Sequence, residues 1–194
     1  MGRRSDGSLP MITEGRVYLR AAERDDISLF LEWFNDWDTT RTLALRAPMS
    51  GPMEERWFDR MLESQGRDGY FFVACLCEDD RVIGNTGLFD LDLFNGSAGL
   101  GITVGKAADR GKGYGTEMLR ALLRFAFGQL RLERVWLDVY AGNDNARRVY
   151  EKVGFVHEGT LRRAALRDNR WLDIDRMAIL ADEWRAREEA RTTA

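Results

Sequence analysis

The sequence predicts one α/β domain in which a mixed sheet carries helices on both faces. Three observations lead there. The 194 residues are 44% hydrophobic and 31% charged with only 3 prolines, which suits one substantial core and excludes low-complexity disorder. Segments of period-2 hydrophobicity alternate with segments of helical period along the chain. Past the midpoint, a strand-like run passes through three closely spaced glycines into a long amphipathic helix.

Residues 1–10 read as a flexible tail, 11–182 as the domain, and 183–194 as a charged tail that frays. In the domain, 16–20 alternates polar and apolar as a half-buried strand does, and Asp25 opens an amphipathic helix through Ile27, Phe30, Leu31 and Phe34. A loop with Pro48, Gly51 and Pro52 leads to a second helix over 54–65, where Trp57, Phe58, Met61 and Leu62 recur at helical spacing. The β-branched and aromatic runs 70–77 and 82–88 pair as a hairpin about Asp79-Asp80, and Asn95-Gly96 turns the chain into a fourth strand, 98–104. Over 116–130, Leu119, Leu122, Leu123, Ala126 and Leu130 trace one helical face. A fifth strand covers 135–140 and a short helix over 143–153 stops at Gly154. The runs 155–166 and 171–180 form a closing hairpin turned at Asp168-Asn169.

Charge and composition narrow the function classes. Twenty-nine basic against thirty-two acidic residues give a net charge of −3 and a pI near 5.4, which argues against a nucleic-acid partner and for small ones. No apolar run approaches the roughly 20 residues of a bilayer span. The first residues lack a hydrophobic signal core, and Asp6 departs from the myristoylation pattern, so a cytoplasmic protein away from the membrane is expected. Cys75 and Cys77 stand two apart in a strand, on one face, as packing residues. With one histidine and no Cys/His cluster, no metal site is expected.

The chemistry concentrates in Arg110-Gly111-Lys112-Gly113-Tyr114-Gly115-Thr116. Glycine at every second position, directly after a strand and before a long helix, exposes backbone N–H groups at a helix N-terminus, where the dipole and Arg110 or Lys112 favour an anion such as a pyrophosphate. A Walker loop fails on spacing, because Gly105 is one residue too far and Lys112 is followed by Gly113. A Rossmann fingerprint wants its third glycine where Thr116 stands. Taken alone, the segment also fits a plain flexible turn.

Two motifs in order carry a resemblance. Arg110-x-x-Gly113-x-Gly115 resembles the acyl-coenzyme A pyrophosphate loop of the GCN5-related N-acetyltransferases (GNAT), and Asn143-x-x-Ala146-x-x-x-Tyr150-Glu151-Lys152-x-Gly154-Phe155 is similar to that superfamily's following helix. The stretch 99–180, with Glu158-Gly159 and Arg176-Met177, resembles the subgroup holding ribosomal-protein N-terminal acetylases and spermidine acetyltransferases. The resemblance implies the GNAT fold: a mixed, mostly antiparallel sheet of six to seven strands, with strands four and five splayed around acetyl-CoA. It implies that Ile102, Thr103 and Val104 pair with the pantetheine arm. Arg110, Gly111, Lys112, Gly113, Tyr114, Gly115 and Thr116 would hold the pyrophosphate, and Asn143, Ala146, Tyr150 and Lys152 complete the cofactor set. Tyr150 is the implied general acid for the departing thiolate, and Val104 N–H the implied oxyanion donor.

The reaction implied is direct attack of an amine on the thioester. The expected acceptor is a protein or peptide N-terminal amine, with a polyamine or aminoglycoside-type amine as the alternative; a homodimer is compatible with the resemblance. At one place the chain departs from its apparent relatives, many of which carry Ala-Glu-Leu where this sequence reads Ala98-Gly99-Leu100. The usual base candidate is missing, which also keeps a non-catalytic CoA-binding sensor in view. Asp90, Asp92 or Asp138 would then act through water or merely solvate strand ends. Trp33, Trp37 and Trp57 either line an acceptor pocket or pack in the core. His157 reads as structural.

Overall fold

The computed structural model describes residues 12–43, 45 and 47–193, so the expected tail 1–10 lies outside the described residues. The strands are β1 (Ile12–Glu14), β2 (Val17–Arg20), β3 (Tyr70–Leu76), β4 (Val82–Asp92), β5 (Ser97–Val104), β6 (Arg134–Tyr140), β7 (Val156–Arg167) and β8 (Arg170–Leu180). The helices are α1 (Ile27–Phe34), α2 (Trp37–Thr40), α3 (Gly51–Ser64), α4 (Tyr114–Gly128), α5 (Asp144–Val153) and α6 (Ala181–Thr192). All strands join one sheet in the order β1-β2-β3-β4-β5-β6-β8-β7. Every neighbouring pair is antiparallel except β5–β6.

The sheet has eight strands where six to seven were expected. The addition is β1, three residues that turn at Gly15 (φ +57) and pair Ile12 with Leu19. So short a run carries no readable period, and its pairing alone makes it a strand. The expected fourth and fifth strands are β5 and β6. They pair only at Ser97–Gly99 against Arg134–Trp136 and then part, which is the splay.

Strand alternation divides the core between two faces. Ala74 and Leu76 of β3 face α4, whose Met118, Leu119, Leu122 and Leu123 are fully buried against Leu19, Leu100 and Leu137. Val73 and Cys75 face the other way, onto Phe30 and Trp33 of α1 and Phe58 and Met61 of α3. Truncating one of the buried α4 leucines to alanine costs about 2–5 kcal/mol. Both cysteines are free thiols; Cys75 is buried and Cys77 half-buried, and desolvation raises both above the usual thiol range.

Element ends differ from the expectation where local chemistry is permissive. Helix α3 starts at Gly51 because Pro52 fits the first turn, where its missing N–H has no intrahelical partner anyway. Helix α4 starts at Tyr114, within the glycine segment itself. The reading of 183–194 as a fraying tail is corrected, because α6 runs through Thr192 and docks. Trp184, 5% exposed, packs near Phe127 (centroids 6.2 Å), Glu183 accepts from Leu180 N–H (2.9 Å), and Arg191 pairs with Glu14 (2.8 Å). A single buried indole among charges leaves no apolar stripe to read. Among the described residues no helix is long and apolar enough to cross a membrane, and no acidic, histidine or cysteine cluster suits a metal.

Candidate active site

Residues 105–113 connect β5 to α4 by way of a 3-10 turn, Ala107–Asp109. Gly111 (φ +75) and Gly113 (φ +90) take left-handed backbone that side chains disfavour. Thr116 and Glu117 donate their N–H groups to Gly113 O (3.0 and 3.2 Å), while the amides of 111–115 find no acceptor among the described residues. Those bare amides lie at the N-terminus of the 15-residue α4 and have the geometry of a backbone nest, the kind that suits an anion. A Cβ built on Gly111 would meet nothing within 4 Å, so the space before the nest is open.

The side chains around the nest hold its shape. Arg16, in the turn just before β2, donates to Lys112 O (2.8 Å) and to the Glu117 carboxylate (2.9 Å from Nε), and its guanidinium lies 4.6 Å from the Tyr114 ring centre. Arg110 does not face the nest as the sequence suggested. Its guanidinium binds Thr39 Oγ1 (2.7 Å), Gly105 O (3.1 Å) and Asp38 O (3.3 Å), stapling α2 to the end of β5. Lys112 Nζ stands 3.6 Å from the buried Asp109, which Arg81 grips through both nitrogens (2.7 and 3.0 Å). That grip holds the Asp109 carboxyl below the usual carboxylate range.

The open edge of β5 follows from ladder alternation. Gly105 N–H bonds Ile83 O on the β4 side (2.9 Å). In an antiparallel ladder alternate amides share a direction, so Thr103 and Gly101 also face β4, while Val104, Ile102 and Leu100 face the splay. Val104 and Ile102 are thus where the resemblance requires free amides; Thr103 turns its amide away and borders the cavity described below. Helix α5 begins beyond the other side of the splay. Asn143 caps it by accepting from Ala146 N–H (3.3 Å), Ala146 is half-buried and Lys152 exposed. Tyr150 is half-buried, 5.9 Å from the Phe155 ring. Burial pushes its hydroxyl up to about 12, so it stays protonated near neutral pH.

A cavity of about 560 Å³ opens between α3 and strands β3–β5. Trp57, Met61, Phe71 and Phe89 give it apolar and aromatic walls, Asp90 and the Arg67-paired Asp68 (2.8 Å) carboxylates, Arg60 a guanidinium, and Asn85 an amide. Of the expected acceptor-site residues, Asp90 and Trp57 border this space. Asp92 instead caps the β4–β5 turn, accepting from Asn95 N (2.9 Å) and Nδ2 (2.6 Å), which lowers its pKa. Asp138 is held by Arg176 (2.8 Å twice), itself 4.0 Å over the Trp136 ring. Trp33 is core, 2% exposed with its ring against Gly105, and Trp37 is exposed. His157 sits by Thr160 (3.2 Å) and Asp175 (3.3 Å), away from the cavity lining. Sequence reasoning missed Asn85, an ordinary strand residue by pattern, and Arg16, whose partners lie about a hundred residues away.

Bare amides at one helix N-terminus, a second capped helix start, an unpaired strand edge and a protonated tyrosine are together compatible with a nucleotide-bearing thioester, the substrate of a coenzyme A-dependent acyltransferase. Residues 16–156 match the acetyltransferase (GNAT) domain family. The chain is 33% identical over 151 residues, 78% of its length and 82% of the relative's, to the SPbeta prophage-derived N-acetyltransferase YokL of Bacillus subtilis (strain 168). It is 33% identical over 111 residues, 57% of this chain and 60% of the relative, to the putative ribosomal N-acetyltransferase YdaF of the same organism. Among solved structures, spermidine N-acetyltransferase from Vibrio cholerae, in complex with CoA and spermine, superposes with a TM-score of 0.82 at 25% identity, covering 87% of this chain and 98% of that one. The chain belongs to the GNAT family and is an acetyl-CoA-dependent N-acetyltransferase.

Proposed function

We propose that the acceptor is the N-terminal amine of a peptide or protein, bound in the cavity beside β5. The observation that carries this reading is the cavity itself, which brings Asp90 and the aromatic walls next to Ile102 on the cofactor strand. The likeness to a putative ribosomal N-acetyltransferase supports it. The cavity carboxylates Asp68 and Asp90, with the likeness to a spermidine acetyltransferase, favour a small polyamine-type amine as the second reading.

The bare amides of 111–115 hold the pyrophosphate, and the outward amides of Ile102 and Val104 pair with the pantetheine arm and the thioester oxygen. Acetyl-CoA supplies the activated acyl group when bound. A peptide N-terminal amine, with a pKa of about 7.7–8.0, is only about 10–20% neutral at pH 7, so Asp90 draws a proton from the charged form through water before attack. Tyr150 then gives its proton to the departing sulfur as the C–S bond breaks and is restored by the proton that the newly acylated nitrogen sheds, and placing both reactants in one cleft supplies much of the remaining acceleration. A mass-spectrometric screen of peptides and free amines with acetyl-CoA tests the acceptor. Acetylated peptide N-termini are the expected result; transfer to polyamines alone removes the peptide reading.

A further inference from the structure

Asn85 stands on β4 opposite Thr103 of β5, at the border of the cavity. It is 6% exposed, and its Nδ2 is sealed from solvent with no hydrogen-bond partner. Nearby polar groups are committed elsewhere: Thr86 Oγ1 donates to Gly101 O (2.8 Å), and Gln65 uses both ends of its amide on the Phe71 backbone (2.9 and 3.3 Å). A buried amide without a partner opposes folding, and a leucine of similar size would remove that penalty. The ladder beside Asn85 is also bare. Gly87 and Gly101 face each other across β4 and β5, and a Cβ on Gly101 would find only Phe89, at 3.9 Å. Asn85 lines the cavity, so a turn of its amide about χ2 brings the unpaired donor to the open space next to the cofactor strand, where a bound ligand completes it.

We propose that Asn85 is a specificity-determining residue whose amide donates to a carbonyl oxygen that the acceptor carries beside its amine. The inference rests on the reading of this cavity as the acceptor site. A protonated amine has no lone pair to accept with, and a neutral amine uses its lone pair in the attack, so the partner of Nδ2 is an oxygen. Asp90 and Asp68, the latter already paired with Arg67 (3.0 and 2.8 Å), are acceptors and suit the ammonium end of an incoming acceptor. A bare polyamine satisfies them and leaves Nδ2 unpaired, whereas an α-amino amide or a peptide N-terminus satisfies both.

The test compares leucinamide with 3-methylbutylamine, the same carbon frame without the carboxamide, by CoA thiol release with the parent, Asn85→Leu and Asn85→Ala. The two amines differ in basicity, so the readout is the change in the ratio of their kcat/KM values between parent and variant. The expected result is a drop of about tenfold or more in the preference for leucinamide in both variants, because a site built around a hydrogen bond rejects the analogue that lacks it. A melting temperature of Asn85→Leu no lower than the parent's is expected alongside. An unchanged ratio overturns the proposal, including the case where both rates fall together, which would place Asn85 at the thioester or in the fold. A parent that acetylates spermidine but neither monoamine overturns the proposal and identifies the acceptor reading, rather than Asn85, as the failing step.

Discussion

The ring of Phe89 occupies the space that a side chain on Gly99 would need: a Cβ built there would stand 2.4 Å from Phe89 Cε2. The two residues pair across β4 and β5, and Gly99 in turn pairs with Trp136 on β6. Phe89 therefore reaches over Gly99 and meets the Trp136 ring edge-on, centroids 5.3 Å apart at 86°. Arg176 lies 4.0 Å over that same Trp136 ring. The absent glutamate of the apparent relatives has a physical counterpart here, since an aromatic bridge spans the last paired residues before the strands part.

Gly99→Glu should therefore destabilise the fold rather than restore a base. Overpacking against the Phe89 ring, which meets Trp136 on one side and is 42% exposed, costs about 1–3 kcal/mol. For a domain of this size that is a drop of roughly 2–12 °C in the melting temperature. Residues in contact couple, so the double variant Gly99→Glu with Phe89→Ala should melt higher than the sum of the single effects allows. Additive losses in a thermal-melt cycle would show that the two positions do not compete for space.

Gly113→Ala should weaken coenzyme A binding about tenfold or more, because φ +90 strains any Cβ and Arg16 Nη2 lies 3.3 Å from it. Gly128→Ala is the matched control, since a Cβ there meets nothing within 4 Å. Calorimetric titration with CoA separates them. A ligand at 100 times its dissociation constant should also stabilise the control by about 2.7 kcal/mol and the Gly113 variant much less. Equal affinities for the two would remove the nest from the binding site.

Trp184→Ala tests whether α6 belongs to the core. The indole is buried and packs by Phe127, so its loss should cost about 3–5 kcal/mol. The exposed Trp37→Ala should change stability by no more than about 0.5 kcal/mol. Chemical denaturation of both variants checks the pair; similar midpoints would return 183–194 to the status of a tail.

What was legible in the sequence had short-range causes. Leu119, Leu122 and Leu123 announce α4 by spacing alone, and Asp168-Asn169 announces the β7–β8 turn, where both residues take positive φ (47° and 58°). The nest was readable because glycine spacing and a following helix are local. What escaped depends on contacts far apart in the chain. Arg110 looks like a phosphate ligand until Thr39, distant in sequence, captures it, and Gly99 looks like a lost base until Phe89 is seen lying over it. Asn85 gives no local signal, since only the lack of a partner in three dimensions sets it apart.

Tyr150→Phe isolates the general acid. The phenol is buried, and desolvation disfavours its anion, which pushes its pKa up to about 12. The hydroxyl is therefore protonated, and competent to donate, throughout the range below that value. The rate should rise with pH as the acceptor amine loses its proton, and ionisation of Tyr150 should add no falling limb up to about pH 10. Removing the hydroxyl should lower kcat roughly 10²-fold with little change in KM for acetyl-CoA, the pattern of a group that acts only as charge develops on sulfur. Stopped-time thiol assays across pH 6 to about 10 on parent and variant read both quantities. A descending limb present in the parent and absent from Tyr150→Phe would mean that the phenol ionises in the working range, and equal kcat values would assign the proton to another donor.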